Sequence, residues 1–410
     1  MCSPCSCKGD GGSGPPQIIQ DSHIAASFAA TAGKRIQCKA GVAYEANKPL
    51  SFEDIHVSPP QPTEVRVKIT HACICQSDLY FWKGKDTQKL FPRILGHEGA
   101  GICESVGAQV RHIKAGDKCI PVWQCECTKC GKCKSSKTNI CDVFMFNWGS
   151  GLMPSDKATT RFTRVEDGKP IYHFFGISVF SQYSTMDEAC IAKINPKAEL
   201  HKICLLGCGI PTGVGSVWNI CKVHPGSTVA VFGLGTIGLA VVEACKVSGC
   251  SRIIGVARDA GKLQRAMEFG LTDTLNIKSF DKPIEQVIRD MTGGGVDYSF
   301  DCTGDPGIIK SALECCVEWG GVSCILGLVE SSQRVSFHPA LLLWGRVWTS
   351  GLFGGYKGRS QLPDLVDRCI KGHINLDHYI THKLPFSKIN EAFELLNQGG
   401  CIRCVMDYEK

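Results

Sequence analysis

A glycine-rich turn between a buried strand and a helix is the feature that most constrains how this chain can fold. The apolar stretch Ser227–Phe232 predicts a buried strand. Gly233, Gly235 and Gly238 follow it in a G-x-G-x-x-G pattern, and a helix is expected over Ile237–Ser248. Glycines at this spacing let the pyrophosphate of a dinucleotide approach the N-terminus of the helix. Strands and helices alternate from residue 210 to residue 352, which predicts an α/β Rossmann domain with a doubly wound parallel sheet.

The rest of the chain predicts a different kind of domain. Residues 37–209 combine alternating strand patterns with many Gly and Pro residues. Residues 353–410 have a mixed character that ends in a predicted helix over Lys388–Leu396 and a strand over Ile402–Met406. These patterns indicate a mostly β domain with irregular connections. Residues 1–36 are rich in Gly, Ser, Pro and Ala, and we expect them to form a mobile extension.

Composition narrows the classes of function. A chain of 410 residues can form two domains with separate cores. The net charge of +6 is spread along the chain, so a nucleic-acid partner is not expected. No uninterrupted run of about 18 apolar residues occurs, and no membrane span is expected. The 26 cysteines, without an apolar secretory segment after the N-terminus, favour a reducing compartment. We expect the cytoplasm, with a plastid as the alternative.

One group of cysteines has the spacing of a structural metal site. Cys127, Cys130, Cys133 and Cys141 follow the pattern C-x2-C-x2-C-x7-C. Such short spacings let one loop wrap a tetrahedral zinc ion, and a site with four thiolates is closed and structural. Cys125 leaves the register of the first ligand open, although the spacing favours Cys127. A lobe braced by zinc is predicted over residues 125–142.

A second group of ligands is scattered along the chain. Cys75 lies in Cys-Gln-Ser-Asp, His97 in Gly-His-Glu, and Cys208 in Leu-Gly-Cys-Gly. Two cysteines and one histidine form the kind of zinc site that keeps a fourth position open for a substrate oxygen. A metal-bound histidine needs an acceptor on its second ring nitrogen, and Asp78 is the candidate. The sequence therefore predicts a second zinc ion, which is catalytic.

The end of the strand after the glycine turn indicates which dinucleotide binds. An NAD site is expected to have an acidic residue there, bound to the ribose 2′-hydroxyl. This chain has Ala257 followed by Arg258. The missing acid removes repulsion against a 2′-phosphate, and Arg258 can pair with that phosphate, assisted by Lys262 one helical turn further on. NADP(H) is therefore favoured, and NAD(H) beside a solvent-facing Arg258 is the alternative.

Longer stretches resemble one family. They are Phe91–Glu98, Gly168–Gly176, Phe180–Tyr183 and Ile380–Phe386, together with both groups of zinc ligands. The chain resembles the zinc-containing alcohol dehydrogenases of the medium-chain dehydrogenase/reductase superfamily, and the plant branch most of all. The resemblance implies a GroES-like catalytic domain built from residues 37–209 and 353–410, and a Rossmann domain over residues 210–352. It also implies a cleft between the two domains, a small-molecule substrate and a homodimer.

The resemblance also implies roles for individual residues. It places Glu98 at an occasional extra zinc ligand, Ser77 at the hydroxyl that relays the alcohol proton, and Tyr80 at the end of that relay. The residues implied in cofactor binding are Gln76, Thr212, Gly233, Gly235, Thr236, Ile237, Gly238, Ala257, Arg258, Lys262, Leu326, Leu328 and Arg403. The residues implied in the substrate pocket are Trp82, Phe174, Phe175, Leu328 and Phe353.

Three departures from the family pattern touch the cofactor. Gln76 replaces a charged pyrophosphate contact, Ala257 replaces an acid, and Pro211 stands where a small hydroxyl residue is usual. These changes argue against ordinary NAD-dependent ethanol oxidation. The prediction is a zinc-dependent oxidoreductase that transfers a hydride between a nicotinamide cofactor and a bulky or apolar alcohol or aldehyde in plant specialised metabolism. A zinc-dependent cyanohydrin lyase with a structural dinucleotide, and a redox-inactive homologue, are the alternatives.

Overall fold

The computed structural model of the chain describes residues 28–86 and 88–409. Its strands, labelled in chain order, are β1 (Ile36–Ala43), β2 (Ser51–Val57), β3 (Glu64–Cys73), β4 (Arg93–Ile94), β5 (Glu98–Val106), β6 (Lys118–Pro121), β7 (Phe162–Arg164), β8 (Pro170–Ile171), β9 (Tyr183–Asp187), β10 (Ile191–Lys193), β11 (Thr228–Phe232), β12 (Arg252–Ala257), β13 (Asp273–Asn276), β14 (Tyr298–Asp301), β15 (Val322–Ile325), β16 (Val347–Ser350), β17 (Ile380–Pro385) and β18 (Arg403–Asp407).

The helices are short, and most connect strands. The α-helices are Gln76–Trp82, Gly131–Lys134, Asp142–Ser150, Leu200–Ile203, Gly209–Gly215, Thr236–Val247, Ala260–Phe269, Ile284–Thr292, Pro306–Glu314, Ala340–Leu343, Leu362–Ile370 and Ile389–Asn397. Tighter 3-10 turns occur at Glu188–Cys190, Cys204–Gly207, Ile277–Ser279, Leu352–Gly355, Leu376–Tyr379 and Phe386–Lys388, and a π turn at Ser216–Ile220. Within the described ranges no single helix is long and apolar enough to cross a membrane, and one bent pair, Leu200–Gly207 with Gly209–Ile220, passes by length and composition alone.

Six strands form the sheet that the glycine turn predicts. They are all parallel and lie in the order β13-β12-β11-β14-β15-β16. The chain reverses its direction of travel between β11 and β14, which leaves a crevice at the carboxyl ends of these strands. The helices Thr236–Val247 and Pro306–Glu314 pack on the sheet, which explains why β11 is apolar along its buried length. The Rossmann prediction is confirmed, and the predicted helix over Ile237–Ser248 is found one residue earlier at Thr236–Val247.

The other two sheets belong to the mostly β part of the molecule. One has the order β4-β1-β2-β7-β8, and the other has the order β10-β6-β5-β3-β18-β17, with β9 also paired to β3. Strand β18 returns from the far end of the chain and runs antiparallel to β3, with Val405 opposite Cys73. The predicted helix and strand near the C-terminus are found at Ile389–Asn397 and Arg403–Asp407. The domain boundaries at residues 209 and 353 stay predictions.

The first residues that the structure describes, from Phe28 onwards, pack against the rest of the molecule, although the composition predicts a mobile extension up to residue 36. Phe28 is only 4% exposed. The Arg66 guanidinium donates hydrogen bonds to the carbonyl oxygens of Thr31 and Lys34 at 2.8 and 2.6 Å, and it also pairs with the fully buried Glu104. Residues 28–34 are therefore fixed by an arginine that lies more than 30 residues away, which local composition does not reveal. The predicted extension over residues 1–27 lies outside the described residues.

A buried histidine in the mostly β part gives a prediction for acid stability. His173 is 1% exposed, and its Nε2 accepts a hydrogen bond from the Arg161 backbone N–H at 3.1 Å. Burial lowers the pKa of His173 to about 3, and the Arg161 charge acts in the same direction. Below about pH 6.5 the unfolded chain therefore binds a proton at His173 that the folded chain does not bind. The contribution of His173 to stability is complete above that pH and is lost progressively as the pH falls towards 3.

His173→Gln keeps a hydrogen-bond acceptor but does not titrate. We expect this variant to lose less stability as the pH falls. Between pH 6 and pH 4 the unfolding free energy of the native chain should fall by roughly 1 kcal/mol per pH unit more than that of H173Q. Denaturant unfolding at several pH values measures the difference. His338→Gln, at an exposed position, is the control. Identical pH slopes for the native chain and H173Q would contradict the assignment.

Candidate active site

The scattered ligands predicted from the sequence meet at one point. Ligand atoms of Cys75, His97, Glu98 and Cys208 all lie within 4.8 Å of one another, and all four residues are buried. This is the spacing that a single zinc ion requires, since thiolate and imidazole ligands bind it at about 2.0–2.3 Å. The donor set of two sulfurs and one nitrogen suits zinc, with a neighbouring carboxylate.

Strand pairing brings these ligands together. In the antiparallel pair of β3 and β5, Cys73 lies opposite Glu98. Cys75 follows the end of β3, and His97 precedes the start of β5, so the two ligands emerge from the same edge of the sheet. Cys208 arrives from the turn Cys204–Gly207, where a Cβ on Gly207 would come within 2.6 Å of the Glu98 Cα. Only glycine permits this close approach, which places Cys208 beside the other ligands.

Asp78 occupies the position predicted for it. Its Oδ1 lies 2.9 Å from His97 Nδ1, and its two oxygens also accept the backbone N–H groups of Cys75 and Gly96. With Nδ1 bonded to a carboxylate, His97 presents Nε2 to the centre of the ligand set. That Nε2 is buried and has no hydrogen-bond partner among the described residues. A buried nitrogen aimed at two cysteine sulfurs fits a bound metal ion.

The groups around the ligand set favour a thiolate at Cys75. A hydrogen bond from the Cys208 thiol holds the pKa of Cys75 well below its ordinary value. The Arg403 guanidinium also lowers this pKa, whereas burial opposes the shift. The pKa of Cys208 is raised in turn by the same bond and by burial. Burial alone would lower the pKa of His97, but Asp78 and Cys75 raise it well above its usual range. Metal binding to this set therefore displaces protons.

Glu98 and Arg403 form a buried ion pair beside the ligands. The Arg403 Nε and Nη2 donate to the two Glu98 oxygens at 2.6 and 2.7 Å, and Nη2 also lies 3.4 Å from Cys75 Sγ. Burial raises the pKa of Glu98 to about 7, against the opposing effect of Arg403. Arg403 Nη1 donates to Thr236 Oγ1 at the start of the helix after the glycine turn. One side chain thus links the metal ligands to the nucleotide fold.

The four-cysteine group forms a separate cluster. Cys127, Cys130, Cys133 and Cys141 have sulfurs within 4.8 Å of one another. The backbone N–H of Cys133 donates to Cys130 Sγ, and that of Cys127 donates to Cys141 Sγ, as expected around thiolate ligands. Cys125 is not part of the cluster, because its sulfur lies 3.1 Å from that of Cys190. The register that begins at Cys127 therefore has the geometry of a closed zinc site.

The glycine turn leaves room for a dinucleotide. Gly233 has φ +88°, and a Cβ on Gly238 would lie 1.9 Å from the Gly233 carbonyl oxygen, so both positions require glycine. A Cβ on Gly235 would meet no atom within 4 Å, and no side chain caps the helix that starts at Thr236. Free backbone N–H groups at an open helix N-terminus bind phosphate. Gly235, Thr236, Ile237 and Gly238 line the cleft that also contains the catalytic ligands.

The end of β12 lies beside this turn. The Gly233 backbone N–H donates to the Val256 carbonyl oxygen at 2.9 Å, so Ala257 and Arg258 follow directly at the same edge of the sheet. Arg258 and Lys262 are exposed. The nearby Asp259 carboxylate accepts the Lys262 backbone N–H at 2.9 Å and caps its own helix. These residues do not line the catalytic cleft itself.

Two loops, one at Thr303–Gly304 and one at Leu326–Leu328, line the far side of the cleft, and Asp301 holds both of them. The sequence analysis missed Asp301. The buried Asp301 carboxylate accepts the backbone N–H groups of Thr303 and Gly304, and its carbonyl oxygen accepts those of Leu326 and Gly327. The loop that carries Leu326 and Leu328 therefore reaches the cleft that it lines. An aspartate at the end of a buried strand was the available signal.

The substrate wall is more aromatic than the sequence analysis predicted. The cleft has a volume of about 530 Å³. Its aromatic lining residues are Tyr80, Phe81, Trp123, Trp148, Phe175 and Phe353. Trp148 was missed because the path of residues 142–165 could not be derived, and Phe81 and Trp123 were missed because the sequence does not show which side chains face the cleft. The signal was the aromatic run of residues 144–148 immediately after Cys141.

Two predicted pocket residues are corrected. Trp82 does not line the cleft. Its indole N–H donates to the Lys48 carbonyl oxygen, and its ring packs on Phe393. Phe174 is 1% exposed and lies behind Phe175, with ring centroids 3.9 Å apart. The predictions for Phe175, Phe353 and Leu328 agree with the positions of these residues in the cleft wall.

The predicted proton relay is only partly assembled. Gln76, Ser77, Tyr80 and Thr212 all line the cleft. The Tyr80 hydroxyl donates to the Lys85 carbonyl oxygen at 2.9 Å, and in the part of the chain that the structure describes no hydrogen bond joins it to Ser77. The Thr212 hydroxyl donates to the Cys208 carbonyl oxygen at 2.8 Å. The roles of Ser77 and Tyr80 in proton transfer, and of Gln76 and Thr212 in cofactor binding, stay predictions.

Comparison with known proteins identifies the family. Residues 61–196 match the alcohol dehydrogenase GroES-like domain, and residues 236–371 match the zinc-binding dehydrogenase domain. The class-3 alcohol dehydrogenase of Oryza sativa subsp. japonica is 52% identical over 380 residues, which cover 93% of this chain and 99% of that protein. The chain belongs to the zinc-containing alcohol dehydrogenase family. Alcohol dehydrogenase 1 of Petunia hybrida is 46% identical over 380 residues, covering 92% and 99%.

Solved structures of the family share the architecture. An alcohol dehydrogenase zinc-binding domain protein from Burkholderia ambifaria superposes with a TM-score of 0.84 at 29% identity, and covers 91% of this chain and 99% of its own. Benzyl alcohol dehydrogenase from Acinetobacter calcoaceticus superposes with a TM-score of 0.80 at 26% identity, with the same coverage. The chain is therefore a zinc-dependent alcohol dehydrogenase with a nicotinamide cofactor fold, and its substrate is a small molecule.

The contact between Asp78 and His97 gives a prediction for zinc affinity in this alcohol dehydrogenase. Asp78→Ala removes the acceptor that fixes the His97 ring, and loss of such a partner lowers metal affinity about 10- to 100-fold. Dialysis against graded chelator concentrations, followed by measurement of the residual zinc, tests this. Asp54→Ala, which removes a carboxylate that is 41% exposed, is the control. Equal zinc retention in the two variants would contradict the role of Asp78.

Proposed function

We propose that this alcohol dehydrogenase transfers a hydride between NADP(H) and a bulky or apolar alcohol or aldehyde. The observation that carries the proposal is the wall of aromatic side chains beside the ligand set of Cys75, His97 and Cys208. Apolar walls with few polar groups favour apolar ligands, because their affinity comes from removing apolar surface from water. Small hydrophilic alcohols gain little from such a wall.

The residues around the ligand set have distinct tasks in this proposal. A zinc ion bound by Cys75, His97 and Cys208 supplies a Lewis acid for the substrate oxygen, and a bound nicotinamide supplies or accepts the hydride. Asp78 orients the His97 ring. The Ser77 hydroxyl lies in the cleft next to Cys75 and takes the alcohol proton while it releases its own proton to water at the mouth of the cleft. The Tyr80 hydroxyl donates its hydrogen to Lys85 O, so its lone pairs can accept a hydrogen bond from this relay but no net proton.

Preference for NADP(H) is supported by the end of β12. An acid is missing at Ala257, Arg258 is exposed, and the Asp259 carboxylate is held by its own helix. A 2′-phosphate at this edge would meet one guanidinium and, one turn later, the Lys262 ammonium. Charge-assisted bonds between guanidinium and phosphate are strong and geometrically specific.

Two further parts of the proposal concern zinc content and assembly. Two ligand clusters support two zinc ions per subunit, one catalytic and one structural. A homodimer is supported by the outer edge of β16, which among the described strands pairs only with β15. Exposed apolar side chains cluster near this edge, and such patches favour association. They are Trp319, Leu343, Trp344 and Val347.

The biological setting is also part of the proposal. The relatives of highest identity named above are plant enzymes, and the departures at Gln76 and Ala257 support a role outside ordinary ethanol oxidation, in specialised metabolism. The cysteines of the described region form no disulfide, which supports a reducing compartment such as the cytoplasm.

Cofactor titration tests the NADP(H) part of the proposal. Calorimetric titration of the zinc-loaded protein should give tighter binding of NADPH than of NADH. Arg258→Ala should weaken NADPH binding about 10- to 100-fold, because a charge-assisted bond is lost, and should leave NADH binding almost unchanged. Lys246→Ala, an exposed change at the other end of the helix after the glycine turn, controls for net charge. Tighter binding of NADH by the native protein would overturn the preference.

Turnover tests the reaction itself. We expect reduction of decanal with a matching loss of NADPH absorbance, and we expect Cys208→Ala to abolish it while circular dichroism stays unchanged, because one of the three zinc ligands is removed. Cys401→Ala, outside the cleft, is the control. Retained activity in C208A at full zinc content would reject the ligand set. Release of cyanide from a cyanohydrin without any absorbance change would instead support the lyase alternative.

A further inference from the structure

Three aromatic rings form a continuous stack that leads from the ligand set into the cleft. The ring centroids of Phe174 and Phe175 are 3.9 Å apart with an interplanar angle of 27°, and those of Phe175 and Trp148 are 4.8 Å apart at 16°. The inner end of the stack meets the edge of the His97 ring, whose centroid lies 5.6 Å from that of Phe174. The stack therefore begins at a zinc ligand.

The outer end of the stack is open. Phe174 is 1% exposed and Phe175 is 5% exposed, but Trp148 is 39% exposed and lines the cleft. The Trp148 ring meets Phe81 edge-on at 6.3 Å and 81°, and it meets Phe144 and Trp123 at tilted angles of 51° and 48°, so no ring stacks on its outer face among the described residues. A large apolar ring that is exposed inside a cleft has unused contact surface. A further flat ring in the cleft would extend the stack by one member.

The helix that carries Trp148 is held in place at two points. It spans Asp142–Ser150 and begins directly after Cys141, a member of the four-cysteine cluster. Asn147, which is 2% exposed, donates from Nδ2 to the sulfurs of Cys125 and Cys190 at 3.4 and 3.3 Å. A ring next to such an anchored residue is presented in a fixed orientation, so little freedom is lost when a ligand packs against it.

We propose that Trp148 is a specificity-determining residue that selects substrates with a planar aromatic ring. The inference rests on the proposed function and deepens it, because it narrows bulky or apolar substrates to aryl alcohols and aldehydes. Stacked aromatic rings are attracted by more than their shared area, whereas a saturated ring of the same carbon number provides area alone. Trp148 therefore distinguishes flat rings from puckered ones, and the four-cysteine lobe fixes the helix on which this selection depends.

The test compares ligands that differ only in the ring. Benzyl alcohol and cyclohexylmethanol are titrated calorimetrically into the zinc-loaded protein in the presence of reduced cofactor, which prevents turnover of an alcohol. We expect benzyl alcohol to bind about two- to tenfold more tightly. Trp148→Leu keeps apolar bulk without a π face and should abolish this preference. Trp148→Phe keeps a smaller π face and should retain part of it, and Phe280→Leu, on the surface away from the cleft, should leave it intact.

Kinetics with benzaldehyde and cyclohexanecarbaldehyde separate this inference from the proposed function. A ring preference in binding that disappears in W148L supports the inference even if neither aldehyde is reduced, in which case only the proposed function fails. Equal binding of the two alcohols by the native protein overturns the inference, and so does a preference that survives in W148L. If W148L does not fold, the same decision rests on W148F, in which a preference equal to that of the native protein would argue against Trp148.

Discussion

The ion pair between Glu98 and Arg403 is the interaction on which the rest of the site depends. It is buried, bidentate, and in contact with a zinc ligand on one side and with Thr236 on the other. Two charges in such a position are stable only when both partners are present, because an unpaired buried charge is very costly. Both partners lie in one sheet of the mostly β part, on β5 and β18, and the hydrogen bond from Arg403 to Thr236 joins that sheet to the nucleotide part beside the cleft.

Around this pair, each element supplies one part of the chemistry. The pairing of β3 with β5 brings Cys75 next to His97, and the turn before Gly209 delivers Cys208. The parallel sheet supplies an open helix N-terminus, while Asp301 ties together the loops that face it. The four-cysteine lobe contributes no reacting group, but it holds the helix that forms the aromatic wall. Metal binding, cofactor binding and substrate selection are thus fixed by separate parts of one framework.

The sequence was sufficient wherever function depends on short patterns. The glycine turn and the four-cysteine spacing are local patterns, and the structure brings their residues together as those patterns require. Asp78 also lies beside His97, although the two are 19 residues apart in the chain. The substrate wall depends instead on which face of an element points inward. Phe81 and Trp82 are neighbours on one helix, and successive helical residues are rotated by about 100°, so only Phe81 faces the cleft. Trp148 was missed because tertiary packing decides which side chains of the helix Asp142–Ser150 face the cleft.

The distance along the chain between the partners of the central ion pair has a consequence for biosynthesis. Glu98 and Arg403 are 305 residues apart, so on the ribosome the carboxylate and the neighbouring ligands are made long before their cation. Strands β3 and β5 can pair early, but β18, which lies against β3, is added only near the end of translation. The catalytic ligand set therefore matures late, after nearly the whole chain has emerged, and a nascent chain holds its thiols without the arginine that stabilises them.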